Sequence, residues 1–195
     1  KDLIASMNMI SEYQSADDYM PILFDVEKKK IAAELSEQAE AADIGLVAVY
    51  DAAKMLSVFV LKERQGLQKG IVSHRPDGQP VVYAATGRNE ASWAASEVPV
   101  MVRLTAEDVS GTDGIVYRKT ESGFSMETSA PIIRKLPDGT RKTSGLIRIA
   151  HFMGADFARE ISEKFHLQFG FFTCGKKLVG TFHDLEFSEK IRNAS

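Results

Sequence analysis

The sequence predicts an α+β fold: a central antiparallel sheet with a long N-terminal helical arm and flanking helices. Three observations carry this. Residues 1 to 43 contain no glycine and space their apolar residues as a helix does, and two alternating stretches meet at a Pro137-Asp138-Gly139 turn. In addition, Phe157, Ile161 and Phe165 recur every fourth position.

Taken in order, the arm carries Leu3, Met7 and Ile10, then Ile22, Leu23, Val26, Ile31, Leu35 and Ala39. Pro21 should break or kink it, with Ser15 to Asp18 capping a second helix from Met20 or Pro21. Two readings stay open: a helix pair packed on the body, or a signalling stalk. The run Lys28-Lys29-Lys30 lies beside acids and reads as a solvated helix face. Residues 44 to 61 read as strand, turn, strand, with Val47 and Val49 alternating against Ala48 and Tyr50 and with Asp51 as a turn-stabilising Asx residue. Residues 62 to 78 are polar and punctuated by glycine, so a loop or short helix is expected. After Pro80, Val81-Val82-Tyr83-Ala84 suits either a strand or the start of a helix ending near Gly87; propensity leans towards strand. Residues 98 to 104 have strand composition, and residues 114 to 123 form a strand closing on a Glu-Ser-Gly turn.

In the hairpin that follows, Phe124, Met126 and Thr128 share one face, and Ser125, Glu127 and Ser129 the other. Beyond the turn, Leu146, Arg148 and Ala150 alternate with Ile147 and Ile149, so one side must be buried. Residues 155 to 165 form an amphipathic helix with Asp156 near its positive end, and residues 167 to 182 a strand pair turning at 174 to 177. The expected organisation is an arm over 1–43, a sensor-sized module over 44–154, and a C-terminal helix and hairpin over 155–195. The last piece either opens a further module or packs on the same body.

Composition removes several function classes. A net charge of -3 with scattered Lys and Arg gives no footprint for nucleic acid. The single cysteine, Cys174, rules out an internal disulfide and a cysteine-cluster metal site. Glycines 66, 70, 78 and 87 lack phosphate-loop spacing, and His74, His151, His166 and His183 form no short ligand pair. There is no GxSxG elbow. No enzyme activity, metal or cofactor is therefore expected. No apolar run approaches the roughly 20 residues that span a bilayer. The chain starts at Lys1 and stops without a clear ending, which suggests a piece excised from a longer protein.

What remains suits a small polar ligand. Arg88, with Asn89, Ser92 and Trp93, offers forked donors for a carboxylate beside an aromatic wall; the competing reading is a surface loop whose Trp plugs the core edge. Tyr117 and Arg118 are neighbours in a strand, so at most one reaches a pocket. Arg103 and Arg148 lie in strand-like runs, where an arginine must pair or line a cavity.

Three segments, in order, resemble the Cache family of extracytoplasmic sensor domains, the PAS-like modules of bacterial histidine kinases, chemoreceptors and diguanylate cyclases. Residues 46 to 56 look like its opening strand, acidic turn and second strand; residues 83 to 88 like its short helix ending in glycine; and residues 129 to 149 like its closing hairpin. The chain departs from the family where Ala52-Ala53-Lys54 replaces a glycine-ended turn, and no ligand-specific motif matches. The resemblance implies a PAS-like sheet, a helix at 81–86, and a ligand held between one sheet face and the chain joining the second and third strands, lined by residues from about 75 to 105 and one face of 114–129. It also implies a non-enzymatic periplasmic or extracellular sensor of a carboxylate or amino acid, flanked by transmembrane helices and dimeric in the intact receptor. Two alternatives stand beside it: a cytosolic PAS- or GAF-like module whose partner is another protein, and an enzyme with a spatially assembled site.

Overall fold

The computed structural model describes residues 21–63, 66–74, 79–87, 93–104, 115–120, 123–173 and 176–181. Helix α1 (Pro21–Ala41) starts on the proline, whose missing N–H costs nothing in a first turn. Residues 1–20, with the first half of the expected arm and its cap, lie outside the described residues. Lys28, Ile31, Ala32, Leu35 and Ala39 form the buried stripe of α1. The three lysines therefore do not share a solvated face. At about 100° per residue, Lys28 turns inward at 2% exposure, Lys29 is half-buried, and only Lys30 is exposed, paired with Glu27 at 2.8 Å.

The first strands are β1 (Leu46–Asp51), β2 (Leu56–Glu63), β3 (Gly66–His74), β4 (Pro80–Thr86) and β5 (Ala94–Ser96), and the later ones β6 (Ile115–Thr120), β7 (Gly123–Lys135) and β8 (Arg141–Gly154). Their order across the sheet is β5-β4-β3-β2-β1-β8-β7-β6, and the registers from β5 to β8 are antiparallel. Two meanders thus meet where β8 lies beside β1. The β1–β2 turn is held by Asp51, whose Oδ1 accepts the Met55 amide at 2.8 Å. Lys54 there takes a φ of 65°, the left-handed conformation that a glycine would hold more cheaply. The β7–β8 turn is the expected one: Asp138 Oδ1 accepts from the Thr140 amide at 2.9 Å and from its hydroxyl at 2.7 Å. The hydroxyl bond, then the amide bond, hold the Asp138 carboxyl below the usual carboxylate range.

Three local expectations are corrected. Residues 66–74 are strand β3, not a loop or short helix. Its Gly70 lies opposite Phe59, where a Cβ would meet the ring at 2.0 Å, so this glycine serves close packing within a sheet. Residues 80–86 are strand β4, not the helix that the resemblance implied; their β-branched run pairs with β3 from Pro80 to Thr86. Residues 98–104 are not a strand. They make one 3-10 turn at Val100–Val102, where Pro99 lacks the N–H that a ladder needs.

The chain divides into two compact units. Unit 1 holds residues up to 114 together with 128–150, and unit 2 holds 115–127 with everything from 151 on. In unit 1 both sheet faces are covered. One carries Val47, Val49, Val58, Val60, Ile71 and Ile132 under the α1 stripe. Alternation puts Leu46, Ala48, Tyr50, Phe59, Leu61, Leu146, Arg148 and Ala150 on the other.

Unit 2 adds α2 (Ala155–Phe165) and a hairpin of β9 (Gly170–Thr173) and β10 (Lys176–Gly180). Phe171 is its hub, edge-on to Phe124 at 4.0 Å and to Phe169 at 4.9 Å, with Phe157 stacked at 6.1 Å. Along α2 the most buried residue is Ala158, while Phe165, expected on the buried face, is 56% exposed. In β7 the polar side is the sealed one. Ser125 is 0% and Glu127 3% exposed, with Glu127 accepting from the Ser125 hydroxyl and from Arg118 Nε at 2.9 Å. Glu127→Gln is expected to destabilise unit 2 by about 1–3 kcal/mol, because it removes the counter-charge of a half-buried guanidinium. Urea unfolding followed by near-UV dichroism of the aromatic cluster would read this, and a change under 0.5 kcal/mol on the scale of ordinary surface substitutions would contradict it.

Candidate functional site

Arg88 and Ser92 lie outside the described residues. Trp93 is half-buried against the α1-covered core, with the Lys29 ammonium 5.4 Å from its ring centroid, so it plugs the core edge. Arg103 is exposed and its guanidinium donates to the Val98 carbonyl at 3.2 Å. Its backbone belongs to the segment that crosses the opposite face of the sheet. Within unit 1, then, Trp93 and Arg103 stand on different sides of the strands and do not frame one pocket. In unit 2, Tyr117 and Arg118 point opposite ways as alternation requires: Tyr117 is 63% exposed, touching Phe124 edge-on, while Arg118 is engaged by Glu127.

A polar constellation does exist in unit 1, on the sheet face away from α1. Tyr50 at the end of β1 is 2% exposed and donates its hydroxyl to the Val102 carbonyl at 2.7 Å. Arg148 on β8 is 3% exposed, and its Nη1 donates to the Arg103 carbonyl at 3.2 Å. Ser144, four residues before Arg148 on the same face, is buried as well. Residues 98–104 thus form a strap over β1 and β8, tied by side-chain donors to two consecutive carbonyls that no strand satisfies.

A buried guanidinium is costly to desolvate and is retained where its donors are used. Here one is spent on a backbone carbonyl, a weaker acceptor than a carboxylate. A carboxylate brought to Arg148 would compete with the Arg103 carbonyl for this donor.

Arg148 was legible as an arginine that must pair or line a cavity. Tyr50 was missed, although alternation along β1 places it with Leu46 and Ala48, away from Val47 and Val49. Among the described residues no group of three His, Cys, Asp or Glu side chains is placed to hold a metal ion, and no helix is long and apolar enough to cross a membrane. Comparison of the chain with protein-family models, with curated proteins and with solved structures finds no match.

Proposed function

We propose that this chain is the ligand-sensing region of a bacterial transmembrane receptor, a PAS-like module of the Cache kind lying outside the membrane, which binds a small carboxylate or amino acid without transforming it. The observation that carries this reading is the strap of residues 98–104 held across the β1–β8 face by the buried donors of Tyr50 and Arg148. It also draws support from a central antiparallel sheet whose closing hairpin returns beside its first strand. A ligand that binds the face better with the strap released than with it tied shifts the population between those two states; in a dimeric receptor, terminal helices relay the shift.

The test is a thermal-shift screen of carboxylates and amino acids on the whole chain. A true ligand at a hundredfold excess over its dissociation constant adds about 2.7 kcal/mol of stability. Arg148→Met should abolish the shift, and Tyr50→Phe, which removes one tie of the strap from a packed ring, should enlarge it by favouring the released state while leaving the fold intact. Stabilisation that survives Arg148→Met unchanged would place the ligand elsewhere.

A further inference from the structure

On the other face of unit 1, α1 and the start of β3 enclose a groove of about 610 Å³ lined by Ser36, Glu37 and Glu40 from the helix and by Gly66, Leu67 and Lys69 from the strand. Lys69 is 5% exposed, and among the described residues it makes no hydrogen bond or ion pair. Glu37, across the groove, likewise has no partner among them. A lysine whose side chain is buried to this extent, and whose ammonium has no acceptor among the described residues, offers a bound anion a ready charge-assisted partner. Here that cation and an acid share one concave space without meeting. Ala33 and Ala41 keep the helix wall low, leaving room between the two charges.

We propose that this groove is a second small-molecule site, selective for a zwitterion whose carboxylate meets Lys69 and whose ammonium meets Glu37, with Glu40 reinforcing the acidic end. Opposite charges at the two ends of one cleft select against simple anions and simple cations, because each leaves one protein charge unanswered. The site is independent of the Tyr50–Arg148 face: the sheet lies between it and the strap.

The test titrates the 195-residue chain with glycine, β-alanine, γ-aminobutyrate and 5-aminovalerate, following amide chemical shifts of Ser36 to Ala41 and Gly66 to Lys69. Acetate and methylammonium serve as single-charge controls. One member of the zwitterion series is expected to bind with a dissociation constant of about 1 mM or tighter, and both controls about tenfold more weakly. Lys69→Met and Glu37→Gln should each weaken that binding about tenfold or more. Glu37 is an exposed helix residue, so its amide variant stays folded should the lysine variant fail. Arg148→Met should leave the affinity unchanged, which separates failure of this site from failure of the strap-covered one. Shifts confined to residues outside the groove, no saturation by any zwitterion, or full affinity in Glu37→Gln would overturn the proposal.

Discussion

Gly70→Ala is expected to cost about 3 kcal/mol, at the upper end of what overpacking a core usually costs. The added methyl would sit 2.0 Å from Phe59 Cε1, and Phe59 is fully buried, so its ring has no free volume to enter. Phe59→Ala alone should cost about 3–5 kcal/mol through the cavity it leaves. Combining them supplies the decisive measurement. With the ring gone, the alanine at position 70 fills part of the space, so the double variant should be less destabilised than the sum by about 1–3 kcal/mol. Urea midpoints of the four proteins complete the cycle, and strict additivity would mean that the ring contact is not what holds glycine there.

Lys28 should make the fold more stable in mild alkali. Its Nζ donates to the Val72 carbonyl of β3, and Asp25 from α1 and Asp51 from β1 are the acids that face it. Burial outweighs both carboxylates and pulls its pKa from 10.5 to about 8. Below about 8 both folded and unfolded chains carry the proton, and the full desolvation penalty stands. Between about 8 and 10.5 the folded chain has released its proton while the unfolded chain keeps it, so stability rises with pH, by about 3 kcal/mol across the window. Lys28→Met, which keeps the length and removes the charge, should gain about 1–3 kcal/mol at neutral pH and flatten that slope. The difference between wild type and variant in urea midpoint from pH 7 to 10 isolates Lys28, because every other titrating group is common to both proteins and cancels. A constant difference would refute the assignment.

The two sites depend on different amounts of tertiary information. Arg148 was marked as significant by chemistry alone, since an arginine within an alternating apolar strand demands a partner. What it holds was invisible, because the Arg103 carbonyl is forty-five positions away along the chain. Lys69 had no signal at all: in a polar, glycine-punctuated stretch a lysine reads as solvated, and only the pairing of β2 with β3 turns it beneath α1.

Local chemistry alone determined α1 from Pro21, the β1–β2 turn on Asp51, the hairpin about residues 136–140, α2 and the terminal strand pair, because each is specified by residues close in sequence, through turn hydrogen bonds and side-chain periodicity. Tertiary structure alone decided the rest. It made residues 66–74 a strand, because β2 offers a ladder and Phe59 needs a glycine opposite. It settled residues 80–86 in favour of their β-branched composition over the helix that resemblance implied, since a strand there extends a ladder already built. It turned Lys28 inward, because a helix buries the stripe facing the sheet whatever one residue on that stripe prefers. And it folded residues 98–104 across the sheet instead of into it, because Pro99 denies the ladder a donor while Tyr50 and Arg148 offer their carbonyls partners that no local pattern contains.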